Sequence, residues 1–174
     1  MVFNKFAASQ RSGFLALFVL GLIVSPLNAA ELNQTTATYV DWTVRCSLDK
    51  SKKVKICEMV QSVRARGNKG ILTQIAIGKP PGTKAIKMVL QVPTNIMIPN
   101  GVTMSFDAAQ KINLQFLICT TNSCLAEHQL DADLLAKLRK SKKGSISFVM
   151  ADKKTVKIPV SLKGFTDAFS EISN

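Results

Sequence analysis

Two short runs that each carry a cysteine, Trp42-Thr-Val-Arg-Cys46 and Ile56-Cys57-Glu-Met59, constrain this chain more than any other stretch. In the first, Trp42, Val44 and Cys46 alternate with Thr43 and Arg45, the period-two pattern of a strand with one buried face. The lysine-rich segment 47–53 then turns the chain back through Val54, Ile56, Cys57 and Met59. A hairpin stapled by its own disulfide accounts for both runs. It carries the only tryptophan of the 174 residues.

The cysteines are Cys46, Cys57, Cys119 and Cys124, and all follow a stretch with the layout of a secretory signal peptide. Lys5 and Arg11 precede an apolar run at 13–24, Ser25-Pro26 break it, and Asn28-Ala29-Ala30 offers cleavage after Ala29 or Ala30. As a helix that run would rise about 18 Å, short of the roughly 30 Å of a bilayer core. Residues 1–30 are therefore expected to be removed, leaving a periplasmic or secreted protein without stable membrane insertion.

An even cysteine count behind such a leader argues for disulfides. Four cysteines allow three pairings. Cys46–Cys57 and Cys119–Cys124 are preferred because each pair brackets a short polar segment suited to a turn. A zinc site is the competing reading, but neither spacing is the C-x2-C of a zinc knuckle. A redox pair wants a close C-x-x-C and a depressed pKa, whereas Cys119-Thr-Thr-Asn-Ser-Cys124 is wider and has no flanking His or Lys. No metal and no cofactor is expected.

After a polar leader at 31–38, expected to be flexible, the pattern from Tyr39 onward is almost all β. Ile71, Thr73, Ile75 and Ile77 repeat every second residue, as do Ile86, Met88, Leu90 and Val92. Val102, Met104 and Phe106 follow, and Leu114, Phe116 and Ile118 lead into Cys119. Strands are also expected over 145–150 and 155–161. Turn signals such as Arg64–Gly70, Gly78-Lys-Pro-Pro-Gly82 and Asn100-Gly101 separate the runs at roughly ten-residue spacing, which suggests a sandwich or barrel. Two segments read as helices: 132–140, with Asp131 as N-cap, and 166–172. Residues 39–174 are expected to form one β domain.

Five pieces in order resemble the invasion-associated locus B family of Gram-negative bacteria. They are Tyr39-Val-Asp-Trp42 with Cys46, Cys57-Glu-Met-Val-Gln61, Val92-Pro93 with Ile98-Pro-Asn-Gly-Val102, Cys119 with Ser123-Cys124-Leu-Ala126, and Ile158-Pro-Val-Ser-Leu-Lys-Gly-Phe-Thr166. The resemblance spans about residues 39–170. It implies an immunoglobulin-like or related antiparallel β-sandwich with one or two short helices, export, and a part in host-cell entry, and it supplies no catalytic residues. The family often has glycine where Val40 and Ser123 stand here, and glycine tolerates a positive φ that valine resists.

No residue set specifies a reaction. His128, the only histidine, lies near Glu127, Asp131 and Asp133, yet no nucleophile motif accompanies it and a solvated loop histidine is expected. Trp42 reads as core. So do Met88, Met97, Met104 and Met150, rather than as copper ligands.

The formal net charge of +12 is the feature beyond the ordinary. Basic residues cluster at 50–55, 64–69, 137–143 and 153–157, and Lys50, Lys52, Lys53, Arg64, Arg66, Lys140, Lys142 and Lys143 are the candidate partner-binding residues. Strand direction is expected to disperse these clusters to opposite ends of the fold. Nucleic acid is a poor partner, because no aromatics are interleaved among them to stack bases.

The expected function is that of an exported, non-enzymatic binding protein of the bacterial envelope. Basic loops or an open strand edge would engage an envelope or host-surface protein, or an anionic lipid or glycan. The alternatives are a thiol-redox or other enzyme using Cys119/Cys124 or His128, and a structural envelope component without a discrete ligand.

Overall fold

The computed structural model describes residues 34–49, 54–68, 70–107 and 110–173. The leader expected over 1–30, together with Lys50, Lys52 and Lys53, lies outside them. Ten strands and two helices follow one another: β1 (Gln34–Tyr39), β2 (Trp42–Asp49), β3 (Val54–Arg64), β4 (Ile71–Gly78), β5 (Ile86–Val92), β6 (Val102–Phe106), β7 (Gln110–Cys119), β8 (Cys124–Leu130), α1 (Ala132–Lys140), β9 (Lys143–Val149), β10 (Thr155–Ser161) and α2 (Phe165–Ser173). The all-β class with two short helices is the one the turn spacing and the family resemblance lead to.

Every strand pairing is antiparallel, in the order β1-β2-β3-β4-β5-β8-β7-β6-β9-β10. β7 belongs to two layers. Its first half, Gln110–Leu114, pairs with β6, and its second half pairs with β8. A strand passing from one layer to another through a bend or bulge is how a sheet folds into a sandwich. The bulge lies between Phe116 and Ile118. It breaks the alternation that ran Leu114, Phe116, Ile118, so Ile118 stands opposite Leu125 on the outer face and is 54% exposed, with Leu117 at 70%.

The inward positions of both layers meet in one core. Trp42, Val44, Met59, Ile75, Ile77, Met88 and Leu90 come from the first layer, and Val102, Met104, Phe106, Ile146 and Ile158 from the second. Met88 and Met104 are wholly buried, as core filling requires. Asp131 caps α1 by accepting the Leu134 N–H at 2.8 Å, and Leu134 and Leu138 carry its buried face.

β1 and β10 are not hydrogen-bonded to each other. The gap between layers is bridged by a side chain: Gln61 of β3 accepts the Ser161 N–H at 2.9 Å and donates to the Ser161 carbonyl at 2.9 Å. Its amide thus pairs with Ser161 of β10 as a neighbouring peptide group would. Gln61 is only 8% exposed, and the Trp42 indole N–H donates to the same carbonyl at 3.2 Å. α2 then packs over this junction. Phe165 meets Trp42 edge-to-face at a centroid separation of 5.4 Å and Phe169 stacks behind it. A Cβ at Gly164 would run into the Tyr39 carbonyl, so only glycine lets α2 come this close.

The leader expected over 31–38 needs correction from Gln34 onward. Gln34–Tyr39 pairs over its whole length with Trp42–Ser47 of β2, and Thr35, Thr36 and Thr38 supply the β propensity. The β1–β2 reversal through Val40 and Asp41 places Val40 at φ +54°. A positive φ at the first central residue of a two-residue hairpin is where glycine is favoured, and a β-branched residue there is strained. The glycine position suggested by the resemblance is therefore a real backbone requirement. Ser123 has no positive φ; Thr120 holds that turn by donating its N–H to the Ser123 carbonyl at 2.8 Å.

Two substitutions test this description by urea unfolding. Gln61→Leu leaves the Ser161 N–H without its acceptor and is expected to destabilise by about 2 kcal/mol; a change within about 0.5 kcal/mol would contradict the closing role. Val40→Gly releases the left-handed strain and is expected to stabilise by about 1 kcal/mol, with an unchanged or lower midpoint as the opposing result.

Candidate functional site

Alternation along the second layer turns one set of residues outward, and these build the site. In β6 they are Thr103 and Ser105, in β7 Lys111 and Asn113, in β9 Lys143, Ser145 and Ser147, and in β10 Lys157 and Pro159. Register aligns them in rows: Lys111 faces Ser105, Ser105 faces Ser145, and Ser145 faces Pro159, while Lys157 faces Ser147 and Ser147 faces Thr103. The result is a groove of about 780 Å³ with half-buried Ser105 and Ser145 on its floor and Lys111, Lys143 and Lys157 around it. Gly144, which faces the core between Lys143 and Ser145, lets β9 lie close against β6, since a Cβ there would stand 2.8 Å from the Ser105 carbonyl oxygen.

Among the described residues the ion pairs are Arg45–Glu58, Lys87–Glu127 and Lys154–Asp152. The three groove lysines take part in none of them. One carboxylate lines the groove, that of Asp107, and it accepts the Ser141 hydroxyl at 2.5 Å. Exposed ammonium groups over a hydroxyl floor can attract anions and hydrogen-bond to polar ligands.

A smaller hollow of about 340 Å³ adjoins it where Lys142 precedes Lys143. Arg139, Lys140, Lys142 and Lys163 line it with one acid, Asp167. The Arg139 guanidinium lies 4.8 Å from the centre of the Phe169 ring, a cation–π contact that holds it in place. A third cleft, of about 430 Å³, lies on the outer face of the first layer around Ala76 and Gly78. Four of its five charged groups are matched in the Arg45–Glu58 and Lys87–Glu127 pairs, each at 2.6 Å, which leaves Lys79 as its one cation outside an ion pair among the described residues.

The expected residues divide accordingly. Lys143 lies in the groove, and Lys140 and Lys142 lie in the adjoining hollow. Arg64 ends β3 and Arg66 lies in the 3₁₀ turn after it; neither lines the groove or the hollow. The expected separation of the 137–143 cluster from the 153–157 cluster needs correction. β10 runs back alongside β9, so Lys157, mid-strand opposite Ser147, shares the groove with Lys143. Lys153 and Lys154 remain at the turn. Sequence reasoning missed Lys111 and Lys163; the polar alternation of Lys111 and Asn113 against Ile112 and Leu114 was the available signal for the first.

His128 is not a loop residue. It is half-buried in β8 opposite Met88, while Glu127 points to the other face and pairs with Lys87. Asp131 is occupied as the α1 cap. Among the described residues no three His, Cys, Asp or Glu side chains gather as a metal site would require. The cysteines are joined Cys46–Cys57 and Cys119–Cys124, each pair in direct cross-strand register.

Residues 42–173 match the sequence model of the Invasion associated locus B (IalB) protein family. The chain belongs to the IalB family. Invasion protein B homologs from two Brucella abortus strains, 2308 and biovar 1 strain 9-941, are each 28% identical to it over 176 residues, covering 99% of this chain and 92% of theirs. The crystal structure of invasion associated protein B from Bartonella henselae shares the fold. Its TM-score is 0.70 at 20% identity, covering 80% of this chain and 95% of that one. The IalB match begins at Trp42 and ends within α2, the two elements that meet at the Gln61 junction.

Thiol chemistry separates a structural role for the sulfurs from a redox one. Denatured, unreduced protein is expected to titrate no free thiol. Replacing Cys119 and Cys124 together by serine is expected to lower stability by about 2 kcal/mol, the chain-entropy value for so short a loop. Reduction of Cys119–Cys124 under mild conditions with no loss of stability would point to a redox pair instead.

Proposed function

We propose that this IalB-family protein is an exported, non-enzymatic binding protein that contributes to invasion by engaging an anionic partner on a cell surface. The observation that carries the reading is the convergence of Lys111, Lys143 and Lys157 around one groove, outside any ion pair among the described residues. Two disulfides favour an oxidising compartment and hence export. The family is named for invasion and not for a reaction. Focused charge of one sign raises both the local concentration and the on-rate of an oppositely charged partner, and salt weakens it.

A second reading, a protein partner added along a strand edge, is favoured by Leu117 and Ile118. They stand exposed on the half of β7 that has no strand on its far side. The bulge partly blunts that edge.

Charge reversal tests the two together. Lys111→Glu with Lys143→Glu and Lys157→Glu is expected to reduce retention on host cells or bacterial envelopes at least tenfold at low salt. Reversal of Lys55, Lys79 and Lys84, which changes net charge equally, should do little. Equal losses in both would mean that charge acts without a site. An unchanged triple variant together with loss on Leu117→Lys would favour the strand edge.

A further inference from the structure

Resting on that reading, we infer that the groove binds a linear, hydroxyl-rich polyanion, a sulfated glycan chain, laid across strands β7, β6, β9 and β10. Three observations lead there. The first is spacing. Lys111 is on the first of four adjacent strands and Lys157 on the last. Three strand-to-strand steps of roughly 4.8 Å put the two strands about 14 Å apart. A single small anion meets both only if the two lysines stretch toward each other across the floor, whereas a chain with several charges meets each where it stands. Exposed single ion pairs contribute little, so the site gains affinity only from a ligand that makes several at once.

The second is the floor. Between the lysines lie Ser105 and Ser145, and further along the same face Thr103, Asn113 and Ser147, with Thr103 and Asn113 hydrogen-bonded at 2.9 Å. Hydroxyls and amides that both donate and accept match sugar hydroxyls. The donors are flexible ammonium groups and hydroxyls. No arginine fork and no helix N-terminus lines the groove, so its lysines act as point charges without bidentate or dipolar selection of a phosphate group.

The third is what the face lacks. The large apolar side chains that stand exposed, Val40, Leu48, Val54, Ile71, Ile98, Leu117 and Ile118, lie outside the groove and its lysine rim. A bilayer surface would be expected to meet large exposed apolar or aromatic groups beside the cations; the apolar residues lining this groove are Pro159 and Phe106, and Phe106 is buried.

The test is calorimetry on the full chain with four probes: a heparin octasaccharide, its chemically desulfated counterpart, a heparin disaccharide, and vesicles rich in phosphatidylglycerol. The octasaccharide is expected to bind at least tenfold more tightly than the disaccharide, with the desulfated chain inactive. Lys111→Gln with Lys157→Gln should weaken octasaccharide binding at least tenfold, and Lys79→Gln with Lys84→Gln less than twofold. Vesicle binding lost in the groove variant, without octasaccharide binding, would overturn the glycan assignment while leaving an anionic partner in place. Octasaccharide binding insensitive to the groove variant would overturn the site. Failure of both polyanions to bind would overturn the parent reading as well.

Discussion

The amide of Gln61 holds the two layers in register where the backbone does not. A sheet of ten strands must either close, stack or leave its edges open. Here the strand that should meet its neighbour ends instead at a buried side chain, which satisfies the N–H and the C=O of Ser161 together. Because a buried peptide group without partners is costly, this one contact fixes where β10 ends relative to β3. Trp42 adds a donor to the same carbonyl, and α2 can cover the junction only because Gly164 lets it approach Tyr39. The hydroxyl of Tyr39 in turn donates to Glu171 at 3.3 Å; burial, then the charge of that carboxylate, hold its pKa above the ordinary value.

Closure decides which surface faces outward. With one face of each committed to the core, β6, β7, β9 and β10 show mainly their alternate residues, and these are mostly lysines and small polar groups, with Pro159 among them. The first layer shows a different surface, with Arg45 matched to Glu58 and Lys87 to Glu127. The positive charge of the chain is therefore uneven in effect even though it is spread along the sequence. On one face register pairs Arg45 and Lys87 with carboxylates, and on the other Lys111, Lys143 and Lys157 stand outside any ion pair among the described residues.

Much of this was legible in the residues. Trp42, Val44 and Cys46 announced a half-buried strand, the cysteine spacing gave the pairing, and Asp131 before an apolar helical stripe gave α1. What stayed hidden has a physical cause in each case. β1 is a row of polar residues with no apolar alternation to mark it, and only pairing with β2 makes it a strand. Leu125–Leu130 has little β-branched content, so β8 and the position of His128 come from pairing with β5 rather than from propensity. Ile118 reads as part of an alternating run until the bulge adds a residue. The groove was the least visible, because Lys111 lies in β7 and Lys143 and Lys157 in the β9–β10 hairpin, with β8 and α1 between them in sequence, and only the strand order brings them together.

The claim on which the functional account turns is that the outer face of β6, β7, β9 and β10 is the binding surface. Amide chemical-shift mapping with a sulfated oligosaccharide addresses it most directly. The account predicts perturbations confined to residues on and around Ser105, Lys111, Lys143, Ser145 and Lys157, with the outer face of β2–β5 unmoved. Shifts centred on the Arg45–Glu58 face or on Leu117 and Ile118, or scattered weakly over every exposed lysine, would contradict it.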